Sequence, residues 1–157
     1  MRIRNANIYT EEHRFVRGDA AVENGRFVSC TGDLAGEEAV VDAEGMYLIP
    51  GLVDIHFHGC KGADMCDGTK EALDVITSYE ASVGVTSVCP ATMTIPKDEL
   101  LEVMKNAGSY EYSGGSHLVG INMEGPFISP AKKGAQAAEN LLSLIHISEP
   151  TRHAQIS

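Results

Sequence analysis

The stretch Ile49-Pro-Gly-Leu-Val-Asp-Ile-His-Phe-His-Gly59 decides the fold of this chain. Residues 52–58 are rich in β-forming side chains and alternate in character, which predicts a strand. One face carries Val53, Ile55 and Phe57, and the other carries Asp54, His56 and His58. Because side chains repeat every two residues, His56 and His58 are predicted to lie roughly 6–7 Å apart at Cα and to point the same way. Imidazole is the commonest metal ligand, so the end of this strand is a candidate metal site.

Length and charge narrow the class of protein. The 157 residues could form one ordinary domain with a real core, and the net charge is −10. An acidic chain of this kind is not expected to bind nucleic acid, because phosphate binding needs a basic surface. We expect neither a signal peptide nor a membrane span, since no long apolar run follows the N-terminus. The cysteines lack the spacing of a zinc ribbon and are expected to be reduced thiols in a cytoplasm: Cys30, Cys60, Cys66 and Cys89.

The pattern along the chain changes near residue 50. Residues 1–49 read as a small antiparallel β unit, with a strand predicted at 2–9, a hairpin at 19–28 around Glu23-Asn24-Gly25, and two short strands within 39–48 around Ala43-Glu44-Gly45. Strands and helices then alternate: strands at 52–58, 85–89 and 117–123, and helices at 69–83 and 96–106. Such alternation predicts α/β structure with parallel strands, either a doubly wound sheet or the start of a (β/α)8 barrel. No glycine-rich phosphate-binding motif follows any strand, and polar residues gather where strands end, so we favour the barrel.

Glu124 is the second candidate site residue. It ends the predicted strand 117–123, and Gly125-Pro126 turns the chain away immediately afterwards. Carboxyl ends of parallel strands meet at one edge of a sheet, so the Glu124 carboxylate could face the same mouth as the two histidines. The alternative is a solvated loop glutamate without a ligand.

Three segments together resemble one family. They are residues 50–59 (Pro-Gly-Leu-Val-Asp-Ile-His-Phe-His-Gly), 123–127 (Met-Glu-Gly-Pro-Phe) and 132–135 (Lys-Lys-Gly-Ala). Over roughly residues 1–140 the chain resembles the N-acetylglucosamine-6-phosphate deacetylases of the amidohydrolase superfamily. The first segment marks only the superfamily, and the other two are more specific to sugar deacetylases. The resemblance implies a metal-dependent TIM-like barrel, of which residues 50–141 supply about three βα units, and a small β-sandwich to which residues 1–49 contribute.

The resemblance also implies roles for particular residues. Glu124 would be a metal ligand, and His56 and His58 would complete a second metal position, for one or two ions of Zn, Fe or Mn. Ala135 and Gln136 would contact a phosphorylated amino sugar, whose acetamide is hydrolysed to acetate and glucosamine 6-phosphate. The catalytic aspartate and two further histidines are expected beyond residue 157, so the chain as given is expected to be inactive. A cytoplasmic homo-oligomer is implied for the full-length protein.

Alternatives remain open at this point. Lys132 and Lys133 could steer the phosphate or could simply be solvated. The protein could be an N-acetylgalactosamine-6-phosphate deacetylase, a cyclic-amide hydrolase, or a non-catalytic fragment that acts as a binding module. Residues 142–157 depart from the family pattern and resemble a translated sequencing adapter, which predicts an artefactual tail rather than a divergent natural C-terminus.

Overall fold

A computed structural model describes residues 1–28, 39–111 and 114–143 of the chain. Cys30 and all of the predicted tail beyond residue 143 lie outside the described residues. The chain divides into two compact units, Met1–Pro50 and Gly51–Ser157, and each is described by itself. No helix within the described ranges is long and apolar enough to cross a membrane.

The first unit is a small β-sheet built around one long central strand. Its strands are β1 (Arg2–Tyr9), β2 (Phe15–Glu23), β3 (Arg26–Val28), β4 (Val40–Asp42) and β5 (Tyr47–Leu48). The predicted hairpin is confirmed: β2 and β3 pair antiparallel across Asn24 and Gly25, whose φ angles of 50° and 73° suit a type I′ turn. Small side chains within these strands are buried, among them Ala6, Ala20 and Ala21.

The predicted antiparallel character of this unit is wrong for its last two strands. Both β4 and β5 pair parallel with β1, at Arg2↔Val40 and at Asn7↔Tyr47. The turn between them, closed by the hydrogen bond from Met46 N to Ala43 O (2.9 Å), advances the chain along the same edge of β1 instead of reversing it. Sequence alternation predicts strands but carries no information on their direction.

The second unit alternates strands and helices, as predicted. Its elements are β6 (Leu52–Asp54), β7 (Gly59–Cys60), β8 (Ala63–Asp64), α1 (Lys70–Ser82), β9 (Val85–Val88), β10 (Ala91–Thr92), α2 (Lys97–Gly108), β11 (His117–Leu118) and β12 (Asn122–Met123), with short 3-10 helices at Met65–Asp67, Pro130–Lys132 and Ala138–Asn140. The sheet order β11-β9-β6 is parallel throughout, and β10 pairs parallel with β12. The α/β class and the parallel pairing are therefore confirmed. Among the described residues, this unit contains the parallel sheet β11-β9-β6, the parallel pair β10-β12 and two α-helices.

The first strand of this sheet is shorter than predicted. It ends at Asp54 rather than at His58, because the Asp54 carboxylate accepts the His56 N–H at 3.0 Å. A short acidic side chain that bonds the backbone two residues on competes with the ladder and turns the chain. The segment still runs beside its neighbour, since Ala91 N donates to Phe57 O at 2.6 Å. Residues 55–58 are therefore positioned by individual hydrogen bonds and not by a continuous strand.

The third predicted strand is two strands. β11 pairs with β9, and β12 pairs with β10. Cys89-Pro90 separates β9 from β10, and the facing strand is divided at the corresponding point. Proline has no N–H to contribute to a ladder, so a strand rarely runs through it. Pairing between the two segments resumes where Asn122 N donates to Pro90 O at 2.9 Å. This second segment leads directly into Glu124.

Helices α1 and α2 cover one side of the parallel strands. Both predicted helices are confirmed to within two residues, and Thr69 caps α1 by accepting the Ala72 N–H at 3.2 Å. Val83 is the C-cap of α1, and Gly84 follows it at φ +90°. The core between these helices and the strands comprises Met65, Leu73, Val103 and Ala107, with Ile95, Tyr110, Leu118 and Ile121 packed against it.

Candidate metal centre

Three of the predicted site residues meet at the carboxyl ends of the parallel strands. His56 and His58 follow β6, and Glu124 follows β12. One oxygen, Glu124 Oε2, lies 3.2 Å from His58 Nε2 and 3.6 Å from His56 Nε2. The two imidazole rings stand nearly perpendicular, with centroids 5.6 Å apart. The topology thus brings together side chains separated by nearly seventy residues.

The donor set suits a transition-metal ion. One donor atom from each residue lies within 4.8 Å of the others, and two imidazole nitrogens with a carboxylate oxygen are typical ligands of Zn²⁺ and related ions. Atoms bound to one ion at about 2.0–2.2 Å sit roughly 3–3.5 Å from each other. The separations from Glu124 fall in or near that range before any side chain moves. The residues therefore fit a divalent cation.

His58 is held in a form ready to bind. Its Nδ1 lies 3.1 Å from the carbonyl oxygen of Ala91 in β10. A carbonyl oxygen only accepts, so the hydrogen bond places the ring proton on Nδ1 and leaves the Nε2 lone pair directed toward Glu124. An outer hydrogen bond of this kind fixes both the tautomer and the orientation of a metal-binding histidine.

His56 is held differently. Its Nδ1 lies 3.0 Å from Asn122 Nδ2, and the same amide nitrogen donates to Ile55 O at 2.9 Å. The bond to Ile55 fixes the orientation of the amide, so the group that faces His56 Nδ1 is a donor. This favours the tautomer with the proton on Nε2, the atom nearest Glu124. The His56 side chain is also more exposed than that of His58, 55% against 33%.

The cysteines near the histidines are not part of the cluster. Within the described part of the chain, Cys60, Cys66 and Cys89 are free thiols, and none of them joins the group of three possible ligands. Burial raises the pKa of both the Cys60 and the Cys66 thiols. Cys66 Sγ instead accepts the Met93 N–H at 3.2 Å. Thiols that keep their protons are poor metal ligands.

The residues predicted to touch the sugar lie in the loop that follows Glu124. Ala135 is exposed, whereas Gln136 is buried with 3% of its surface exposed. Gln136 Oε1 accepts the Thr94 N–H at 2.7 Å, and Lys133 Nζ donates to Gln136 O at 2.7 Å. A substrate contact at Ala135 and Gln136 stays a prediction. Lys132 is exposed, and Lys133 is engaged with its own loop.

Sequence reasoning missed the residues that support the three candidate ligands. Asn122, two residues before Glu124, contacts His56, and Ala91 contacts His58 through its backbone. Thr94 donates its hydroxyl proton to Glu124 O at 3.0 Å. The position of Asn122 in a strand that leads to Glu124 was an available signal. A backbone carbonyl such as that of Ala91 leaves no trace in side-chain identity.

Comparison with known proteins points to one family of enzymes. No protein-family model matches the chain. The N-acetylglucosamine-6-phosphate deacetylase of Bacillus subtilis (strain 168) is 31% identical over 146 residues, which cover 87% of this chain and 37% of that protein. The N-acetylgalactosamine-6-phosphate deacetylase of Escherichia coli O157:H7 is 31% identical over 103 residues, covering 64% of this chain and 27% of the relative. The chain thus spans little more than a third of the length of the curated relatives it matches.

Solved structures agree with this match. The crystal structure of N-acetylglucosamine-6-phosphate deacetylase from Pasteurella multocida shares the fold over 98% of this chain and 40% of that one, with a TM-score of 0.81 at 23% identity. The enzyme from Thermotoga maritima matches over 91% of this chain and 37% of its own, with a TM-score of 0.71 at 26% identity. A Mycobacterium smegmatis enzyme of the same name, solved in complex with N-acetyl-D-glucosamine-6-phosphate, has a TM-score of 0.72 at 20% identity over 91% of this chain and 37% of that one.

Proposed function

We propose that this chain, a homologue of the N-acetylglucosamine-6-phosphate deacetylases over most of its length, contributes the first part of a metal-dependent amide hydrolase site. The reaction would convert N-acetylglucosamine 6-phosphate and water into glucosamine 6-phosphate and acetate. The observation that carries the proposal is the convergence of His56, His58 and Glu124 in a chain with these relatives. An acidic protein would meet its anionic substrate through this local site and not through its overall charge.

The three residues would act together as the holder of a divalent ion, Zn, Fe or Mn, in a site of one or two ions. Such an ion lowers the pKa of bound water toward neutrality and polarises an amide carbonyl. His58 would offer the lone pair of Nε2, because its Nδ1–H donates to Ala91 O. Glu124 would contribute the negative charge that balances the cation, and the glycine after it allows the chain to turn away at φ +87°.

The substrate would approach from the side of the loop 130–140. Ala135 is exposed there, and its small side chain leaves its backbone accessible to a sugar hydroxyl or phosphate. Lys132 is exposed on the same loop and could attract the phosphate electrostatically. These contacts, with Gln136 beside them, are part of the proposal.

The proposal extends to the larger assembly. Residues 1–49 would contribute to a β-sandwich, and residues 50–141 would be the first part of a TIM-like barrel. The parallel order β11-β9-β6 supports the barrel, as do exposed apolar side chains on its strand ends. The full-length protein would be a cytoplasmic homo-oligomer, whose assembly light scattering after size exclusion would test.

Two measurements test the function. Zn²⁺, Mn²⁺ or Fe²⁺ is titrated into the chain and into its His56→Ala and His58→Ala variants, with bound metal determined by elemental analysis. We expect stoichiometric binding to the natural chain and weaker binding to each variant. Acetate release from N-acetylglucosamine 6-phosphate is then assayed with the 157-residue chain and with any longer product that its locus encodes. A metal-loaded longer product that releases no acetate would refute the assignment, as would a natural chain that binds no metal.

A second candidate differs only in the sugar. The relative from Escherichia coli O157:H7 is named for N-acetylgalactosamine 6-phosphate and is as identical, at 31%, as the Bacillus subtilis relative. The two substrates differ at one hydroxyl, and a site built to bind one epimer leaves a buried polar group unpaired with the other. Side-by-side kcat/KM values for both epimers would decide between them.

A further inference from the structure

Thr94 is a junction between the metal centre and the loop that follows it. The residue lies just beyond β10 and is buried, with 3% of its surface exposed. Each of its polar groups is engaged: Thr94 N donates to Gln136 Oε1 at 2.7 Å, Thr94 Oγ1 donates to Glu124 O at 3.0 Å, and Thr94 O accepts from Asn140 Nδ2 at 3.1 Å. A buried polar group left without its partner is costly, so these bonds specify where each partner lies.

Gln136 faces inward in this arrangement. Its Oε1 accepts from Thr94 and its Nε2 lies 3.6 Å from Met93 Sδ, so the amide is directed into the protein. Lys133 Nζ donates to Gln136 O at 2.7 Å and closes the loop on itself. The side chain therefore supports the loop from beneath, while Ala135 next to it is exposed.

The backbone at Glu124 and Gly125 lies directly against the Thr94 side chain. A Cβ atom on Gly125 would collide with Thr94 Oγ1, so the close approach of Thr94 requires glycine at that position. The carbonyl that Thr94 holds belongs to the residue whose carboxylate faces both histidines. Movement of Thr94 would shift the Glu124 backbone and therefore its carboxylate.

We propose that Thr94 and Gln136 are positioning residues: Gln136 fixes Thr94, and Thr94 fixes Glu124 as a metal ligand. The loop predicted to touch the sugar is thereby mechanically connected to the cation site. The inference rests on the proposed function, since it requires that Glu124 bind a metal. It assigns the Gln136 side chain a role that is exerted through Thr94.

The test is the Zn²⁺ affinity of the whole chain, measured by competition with a chromophoric chelator in the absence of any sugar. Thr94→Val keeps the shape and the backbone bonds but removes the hydroxyl, and should weaken Zn²⁺ binding about tenfold, the lower end of what outer-shell changes cause. Thr94→Ser restores the hydroxyl and should restore the affinity. Gln136→Met removes the acceptor at similar volume and should weaken Zn²⁺ binding in the same direction.

Thr77→Val is the matched control. Thr77 lies in α1 and is fully buried. Its hydroxyl is hydrogen-bonded to Tyr110 Oη at 3.1 Å, a contact that involves none of the three candidate ligands. Its loss should reduce thermal stability but leave the Zn²⁺ affinity unchanged. If Thr94 had only a structural role, Thr94→Val would lose thermal stability and keep its Zn²⁺ affinity, as Thr77→Val does.

The outcomes separate the two proposals. A natural chain without Zn²⁺ affinity refutes the metal site itself. A natural chain that binds Zn²⁺ while Thr94→Val and Gln136→Met bind equally well overturns the positioning role alone. A Gln136→Met variant that loses only sugar-phosphate affinity would assign the side chain to the substrate instead. If the variants fail to fold, hydrogen exchange in the natural chain decides: Zn²⁺ must increase the protection of the Thr94 amide, and an unchanged rate overturns the inference.

Discussion

At the scale of single residues, the two histidines of the cluster are chemically unequal. His58 faces an acceptor through Nδ1, and His56 faces a donor. A neutral imidazole has one donor and one acceptor nitrogen, so the groups that face Nδ1 favour opposite tautomers in the two rings, while the Glu124 carboxylate faces Nε2 of both. Only His58 then presents a free Nε2 lone pair to a cation. The identity of both histidines was predictable from the sequence, whereas this difference depends on neighbours that fold topology supplies.

The tautomers can be measured directly. In the metal-free chain, at a pH where both rings are neutral, we expect the proton of His58 on Nδ1 and that of His56 on Nε2. Long-range ¹⁵N–¹H correlation spectra distinguish the two forms, because protonated and unprotonated ring nitrogens resonate far apart. Asn122→Ala should give His56 a mixture of both tautomers and leave the tautomer of His58 unchanged. Identical tautomers in the natural chain would contradict the argument.

Residue identity singled out the three candidate ligands that lie together in the structure, but not the residues that support them. Histidines two apart and a glutamate at a strand end carry a recognisable chemical signal. Thr94 and Gln136 carry none, because threonine and glutamine occur in many environments and their hydrogen bonds here connect segments 42 residues apart. Such supports follow from packing and are visible only in three dimensions.

At the scale of elements, the sequence predicted which segments are strands and helices better than it predicted their ends. Helix α1 agrees because an N-cap threonine and a following glycine mark its two ends. Strand β6 ends early because Asp54 bonds the His56 N–H, and the third strand divides because Pro90 interrupts its partners. Local side-chain bonds and a proline on a neighbouring strand override alternation. The first of these effects lies within the strand's own sequence, and the second does not.

Helix α1 carries a carboxyl group on its buried face. Glu80 is 8% exposed, and burial raises its pKa above the ordinary value of 4.5, with the nearby Asp54 charge adding to the effect. The folded chain therefore holds this proton more tightly than the unfolded chain does. Stability is lost as pH rises from the ordinary pKa through the raised one, because the folded state must then bury a charge.

Glu80→Gln should remove that penalty. At about pH 7 the variant should be more stable than the natural chain, by about 1.4 kcal/mol for each pH unit by which the folded pKa exceeds its ordinary value. The difference should shrink as pH falls and vanish below the ordinary pKa, where both states hold the proton. Urea unfolding of both proteins across this pH range measures it. A stability difference that does not change with pH would show that packing, and not ionisation, separates the two proteins.

At the scale of the whole molecule, the sheet that the described residues form in the second unit leaves apolar side chains exposed in and just after β6. Val53 and Ile55 beside the histidines are 60% and 65% exposed. Soluble proteins rarely leave such groups uncovered, and strands at a sheet edge present unpaired backbone. The chain spans 37% of its Bacillus subtilis relative. Alternation in the sequence predicted that Val53 and Ile55 lie opposite the histidines, and both side chains are exposed in the described part of the chain.

The division into two units predicts where a cation will act. All three candidate ligands belong to the unit Gly51–Ser157, and none to Met1–Pro50. A ligand stabilises the structure that forms its site, by about 2.7 kcal/mol when its free concentration is a hundredfold above Kd. Zn²⁺ should therefore slow amide exchange around β6, β10 and β12 and leave β1 and β2 unchanged. Exchange measured by mass spectrometry with Zn²⁺ or with EDTA tests this, and His58→Ala should abolish the difference. Equal protection of both units would mean that the cation binds elsewhere or that the units unfold as one.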